Sequence, residues 1–296
     1  MSRSLPIADA FCADEAEGAG EPLAGTAAHA LVWILVEEPG PWERDPIASE
    51  GLVAERATIE EWLAAIPKSR LQLIRRPRAS TGSRRVYLAM PAERRVLGWS
   101  VASLADVPLV EAAEGEPVSA ELVTGMLQLV CTHGKRDRCC AQKGMPIFRG
   151  LDAKHTAGEV WQTSHLGGHR FAATTLELPS GYAFGYLKPE HVDALVAPEL
   201  PLALVRGRVC FDEPTQFAEL ALRGALDERD REACHHESTE REENGWHVRF
   251  RIGAQVRAVH VRKQALEGLR PKSCGDEPSP IATFVATLED ASLDPA

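Results

Sequence analysis

The sequence lacks an apolar run long enough to cross a membrane as a helix. Such a span needs about 20 residues, and the longest candidate, AHALVWILV at 28–36, has the length of a strand. The N-terminus, MSRSLPIADAFCADEAEGAG, lacks the charged start and apolar stretch of a secretion signal. The cytoplasm is therefore the expected compartment, and residues 1–20, rich in Glu, Ala and Gly, are expected to form a flexible tail. A basic surplus is also missing: 33 Lys and Arg stand against 43 Asp and Glu, a net charge of −10. Nucleic acid is thus not an expected partner, because phosphate binding needs a basic surface. There is no CxxC pair, no internal repeat of fixed period and no low-complexity tract.

Seven cysteines are present, at 12, 131, 139, 140, 210, 234 and 274. An odd number in a long chain without an export signal argues against a disulfide framework. Clustered cysteines then point to metal binding or redox work. With 296 residues, the chain can bury a full hydrophobic core as one large domain or two small ones.

The pattern along the chain predicts an α/β protein in two halves. In the first, residues 21–112, Leu31–Glu37 reads as a buried strand ended by Pro39-Gly40-Pro41. Ala57–Ala65 has helical spacing, with Thr58 as N-cap and Glu60 and Glu61 in the first turn. Leu71–Arg75, Arg85–Ala89 and Val96–Ser100 read as strands, and Ala79–Arg84 as a turn. Residues 106–118, with Pro108, Gly115 and Pro117, form a connector.

The second half, residues 118–290, opens with the apolar segment Leu122–Val130. A helix over Arg138–Leu151, a strand over Glu159–Thr163 and a hairpin of Arg170–Leu178 with Tyr182–Leu187 follow. Pro189 starts a short helix to Val196, and Pro214–Leu226 has helical spacing. Residues 227–245 are densely charged and read as a solvated helix end and loop. Trp246–Ile252 and Gln255–Val261 form a hairpin, with a last strand over Ile281–Ala286. The order strand, Cys loop, helix, strand, hairpin, helix is that of a thioredoxin-like half. There the first strand's end and the next helix's N-terminus hold the chemistry, and the helix dipole favours thiolate.

The chemistry concentrates in CTHGKRDRCC and SHLGGHR. Cys131 and Cys140 stand eight residues apart, and His165 and His169 three apart. Two thiolates and two imidazoles can hold a zinc ion or an iron–sulfur cluster. Zinc fingers usually use C-x2–4-C, which this spacing is not. Cys139, beside Cys140, offers a competing thiolate. Gly167-Gly168 supplies the backbone freedom for two imidazoles to converge from one tight loop. Thr163 and Ser164 can donate to cluster sulfurs.

CTHGKRDRCCAQKGMP followed by WQTSHLGGHRFA resembles the sucrase/ferredoxin-like family, the thioredoxin-like ferredoxins. EPLAGTA at 21–27, VWILVEEPGPW at 32–42, LPSGYAFGYL at 178–187, and RGRVC followed by Pro214 and Gln216 extend the resemblance over roughly 21–290. It implies a thioredoxin-like ferredoxin domain in the C-terminal half, at 118–290, with an N-terminal α/β companion domain. It also implies a [2Fe–2S] cluster bound by Cys131, Cys140, His165 and His169. The family's second cysteine follows an Arg-Asp pair by three, and Arg136-Asp137 sets that register on Cys140.

Two thiolates offset the charge of an oxidised [2Fe–2S] core, whereas four overcompensate it, so Cys2His2 ligation implies a raised potential. Lys135, Arg136 and Arg138 push the same way. The implied function is that of a ferredoxin-type one-electron carrier with a reductase and an acceptor as partners, and no membrane or nucleic acid partner. The rivals are a zinc-stabilised binding module and a cluster-free thiol oxidoreductase using Cys139 or Cys140. Glycoside hydrolysis, which the family name mentions, needs two carboxylates at a set separation, and no pair is singled out here.

Blander expectations cover the remaining polar candidates. His133 is a loop residue bonding to backbone, and Arg136 and Asp137 shape the loop through a salt bridge. Cys234-His235-His236 is a surface run, Cys210 and Cys274 are core or near-core thiols, and Cys12 is a free thiol in the tail. Trp33, Trp62, Trp99, Trp161 and Trp246 are core residues, with shielding of the cluster a second role open to Trp161.

Overall fold

The computed structural model describes residues 11–77, 82–154, 160–274 and 276–289. The chain is a mixed α/β protein with one ten-stranded sheet and a separate four-stranded sheet. Part of the predicted tail is a short helix, α1 (Cys12–Gly18), with Cys12, Ala13 and Ala16 buried. The alternation of alanine and cysteine with acidic residues supplies a small inward face, which composition alone does not disclose.

The first half supplies β1 (Val32–Glu37), α2 (Arg56–Ala65), β2 (Ser69–Arg75), β3 (Arg84–Met90) and β4 (Arg95–Val101). Strand β1 runs parallel to β2 across α2, β3 is antiparallel to β1, and β4 is antiparallel to β3. A parallel neighbour requires a crossover, and α2 provides it. Thr58 is the third residue of α2 and not its cap, because a 3-10 turn over Glu50–Glu55 runs directly into the helix. The predicted connector contains a short helix, α3 (Leu109–Ala113), with Leu109 and Ala112 buried. The predicted turn at Ala79–Arg84 lies partly outside the described residues.

The second half repeats this pattern. After the two-residue strand β5 (Glu121–Leu122) come β6 (Leu127–Cys131), α4 (Arg138–Asp152), β7 (Val160–Thr163), β8 (Thr175–Leu178) and β9 (Tyr182–Phe184). Strand β6 is parallel to β7 across α4, β8 is antiparallel to β6, and β9 is antiparallel to β8. The two units join edge to edge through β2 and β7, antiparallel, with Ile74 opposite Thr163. Both predicted halves therefore share one sheet. The repeat is one of topology, carried by interchangeable apolar residues, and so leaves no periodic sequence signal.

Alternation along the strands divides the core. Trp33, Leu35, Tyr87, Leu129, Cys131 and Trp161 face one shared layer spanning both units. Ile34, Val36 and Leu88 face α2 and α3, while Val130 and Val160 face α4. A short helix α5 (Val192–Val196) and strand β10 (Val205–Arg208) close this sheet beside β9.

Helix α6 (Glu213–Leu226) then packs Ala218 and Leu222 onto a meander of β11 (Cys234–Glu242), β12 (Gly245–Ile252), β13 (Gln255–Arg270) and β14 (Ser279–Leu288). About half of the charged stretch predicted as helix end and loop, Cys234–Glu242, is thus strand β11. Its charges line exposed positions, while Cys234 is buried at the start and His236 packs its ring near Phe211 and Phe250. Cross-strand pairing with β12 overrides a composition that reads as solvated loop.

Candidate metal centre

Cys131 is the last residue of β6, and Cys140 lies in the first turn of α4. Asp137 is the N-cap of α4: its side chain accepts from the Cys139 amide at 2.9 Å. Both cysteines are buried. Gly144, one turn beyond Cys140, sits against the end of β6, and a Cβ there would overlap the Cys131 carbonyl oxygen. The helix can approach the strand because position 144 has no side chain. Gly144→Ala, which in an ordinary helix interior stabilises, is expected here to cost about 1–3 kcal/mol by overpacking. The check is its urea midpoint against wild type.

The histidines come from the loop after β7. His165 places Nδ1 3.7 Å from Cys140 Sγ and 4.0 Å from Cys131 Sγ. Cys131, Cys140 and His165 form one group of possible ligands, with donor atoms within 4.8 Å of one another. His169 Nδ1 lies 3.3 Å from His165 Nε2, so the fourth predicted residue adjoins the group through the other imidazole. Both histidines are only partly buried, which places them between the buried cysteines and solvent.

The two expected glycines hold this loop together with Arg206 and Arg70, whose part in it no motif marks. Gly167 and Gly168 have φ of +90° and +69°, the left-handed conformation that favours glycine. A side chain at Gly168 would collide with the buried guanidinium of Arg206. Arg206 donates to the Gly167 carbonyl at 3.0 Å and to Thr26 Oγ1 at 3.1 Å, tying the RGR and AGT segments to the histidine loop. Arg70 donates to the His165 carbonyl at 2.8 Å. Thr163 Oγ1 donates to the Leu73 carbonyl at 3.1 Å, and Ser164 Oγ accepts from the Leu73 amide at 3.0 Å. These two hydroxyls bind the first unit rather than facing the thiols, because β2 is the edge to which β7 pairs. The first unit therefore positions the second unit's histidines.

Other expectations change on contact with the structure. Arg136 is exposed and makes no ion pair with Asp137 among the described residues, since Asp137 turns inward to cap α4. His133 is buried with its ring edge-on to Trp42, centroids 5.8 Å apart. Trp161 is a core residue, stacked under Arg76 at 3.6 Å and edge-on to Tyr87. Cys139 turns away from Cys131: its sulfur lies 3.6 Å from that of Cys12 and 3.4 Å from that of Cys274. Cys12 is a free thiol, as expected, but it is buried in α1 rather than held in a loose tail.

The electrostatics favour ligation. Hydrogen bonding from Cys140, aided by His165, holds the Cys131 thiol well below its ordinary value despite burial. Cys140, sharing that proton, is held well above. A cation would replace the shared proton and free both thiolates. Burial lowers the His169 imidazole, which keeps it in the neutral form that metals bind. Two buried thiols and two imidazoles at their outer side are donor types that can hold a metal ion or an iron–sulfur cluster.

No curated protein and no solved structure is matched by the chain. The sucrase/ferredoxin-like family is matched over residues 23–209, more than half of the chain and a span that includes all four of these residues. With its C-x8-C and H-x3-H pairs brought together beside a helix N-terminus, the chain belongs to the sucrase/ferredoxin-like family.

Proposed function

We propose that this protein is a one-electron carrier that holds a [2Fe–2S] cluster on Cys131, Cys140, His165 and His169. The observation that carries this reading is the convergence of the two cysteines on His165, with His169 against it. Bound there, the cluster would supply reversible one-electron exchange. The thiolates of Cys131 and Cys140 provide its negative charge, and the partly exposed imidazoles provide the edge facing a redox partner. Arg138, exposed in the first turn of α4, adds positive field. The order β7-β6-β8-β9 supports reading the β6–β9 unit as a thioredoxin-like ferredoxin domain, with the β1–β4 unit as its α/β companion.

The partners are a reductase and an acceptor. No helix is long and apolar enough to cross a membrane among the described residues. Cysteines free of disulfides suit a reducing compartment, and the cytoplasm is the proposed one.

Protein film or solution voltammetry tests the reading. A reversible one-electron couple is expected, at a midpoint above the roughly −400 mV of plant-type ferredoxins. A two-electron thiol couple, or no couple at all, contradicts the proposal. A zinc-stabilised binding module is the second reading, favoured by the compactness of the Cys131–Cys140–His165 group.

A further inference from the structure

Three thiols and one carboxylate meet on the other side of the α4 N-terminus. Cys12 comes from α1, Cys139 from the first turn of α4, and Cys274 from the segment between β13 and β14. Their sulfurs form a near-equilateral triangle, with Cys12–Cys139 3.6 Å, Cys139–Cys274 3.4 Å and Cys274–Cys12 3.5 Å. Asp137 Oδ1 lies 3.3 Å from the Cys274 sulfur. Cys12, Cys139 and Asp137 are buried, and Cys274 is partly so.

We propose that Cys12, Cys139, Cys274 and Asp137 form a structural zinc site, separate from the Cys131–Cys140–His165–His169 centre. Tetrahedral zinc with Zn–S bonds of about 2.3 Å sets its thiolates roughly 3.8 Å apart, close to the observed triangle. A disulfide does not explain it, because one bond of about 2.05 Å would use two sulfurs and leave the third without a role. The three thiols share a small apolar cluster with Ala13 and Ala172, but apolar packing alone gives no reason for a buried carboxylate beside them. Asp137 is oriented as a ligating carboxylate should be, by backbone amides: Cys139 N at 2.9 Å on Oδ1 and Cys274 N at 3.2 Å on Oδ2. The N-terminus of α4 offsets the remaining negative charge.

Cys12 and Cys274 both lie outside the family-matched residues 23–209. The site therefore joins two flanking segments to α4. It does so beside His169, whose Nε2 lies 3.8 Å from Asp137 Oδ2. Zinc here would fasten α1 and the β13–β14 segment against the histidine loop.

The test is zinc and iron content per chain, by mass spectrometry, of full-length protein purified anaerobically from zinc-supplemented cells. Wild type, C12S, C274S and C131S would be compared, with circular dichroism as a fold control. One zinc is expected in wild type and C131S, and a fall of at least tenfold in C12S and C274S, with their iron unchanged. Cobalt substitution gives a second readout: the thiolate-to-cobalt charge-transfer bands of wild type are expected to weaken in C12S and to persist in C131S. Wild type without zinc that also fails to take up cobalt overturns the proposal. So does zinc retained in both C12S and C274S, or a disulfide among the three cysteines in the anaerobic protein. Zinc without iron would leave this site standing and remove the electron-carrier reading instead.

Discussion

C140S is expected to lose the visible absorption of the purified protein entirely, while C139S keeps it. The two cysteines are adjacent in sequence but face opposite ways. Cys140 points at His165, whereas Cys139 points at Cys12 and Cys274. A helix turns by about 100° per residue, so neighbours in the first turn of α4 serve different groups. Serine keeps size and loses the soft thiolate, so a fold change does not confuse the result. The check is the spectrum and iron content of both variants. Equal loss in both would mean that the helix start, rather than one thiolate, matters; loss in C139S alone would exchange their roles.

The second large effect is on stability. Glu219 is fully buried in α6 and accepts from Arg208 Nη2 at 2.7 Å and from Arg223 Nε at 2.9 Å. Tyr182 Oη donates to the same carboxylate at 3.0 Å. Arg208 also donates to the Cys234 carbonyl at 2.6 Å, so the network joins the ten-stranded sheet to the four-stranded one through α6. E219Q leaves two buried guanidinium groups facing a neutral amide. Breaking such a pair from one side costs roughly 3–5 kcal/mol, since the stranded charges stay desolvated. The urea midpoint should fall accordingly at pH 7.

The sign of the pH dependence follows from the same contacts. Burial alone would raise the Glu219 carboxyl, yet Arg208 and Arg223 hold it below the usual carboxylate range. A depressed carboxylate stabilises the fold fully above its unfolded value, near 4.3. That contribution is lost as pH falls through the folded value. The gap between wild type and E219Q should therefore close in acid. A gap unchanged from pH 7 to strong acid would show that shape, not charge, sets the loss.

Much of this molecule was legible because its signals are local. Strand β1 follows from VWILV, α4 from the spacing after Asp137, and the β12–β13 hairpin from alternation about Gly253-Ala254. The C-x8-C and H-x3-H pairs were legible as short motifs, and the fold brings them together. What escaped is long-range. Cys12, Cys139 and Cys274 have no mutual spacing signal; only the packing of α1 and the β13–β14 segment on α4 unites them. Arg70 and Arg206 support the histidine loop from other strands, and nothing beside them in the sequence marks that role. Strand β11 failed for a different reason: edge-strand charges resemble those of a loop until a partner strand is known. The pairing of β2 with β7 was illegible too, since two edge strands carry no label for each other.

The most direct measurement is iron, acid-labile sulfide and low-temperature EPR of anaerobically purified wild type, before and after dithionite. Two irons and two sulfides per chain are expected, with an EPR-silent oxidised state and a reduced signal whose average g-value is lowered by mixed Cys and His ligation. Colourless protein without sulfide, with zinc at the Cys131 and Cys140 thiols, would contradict the electron-carrier reading.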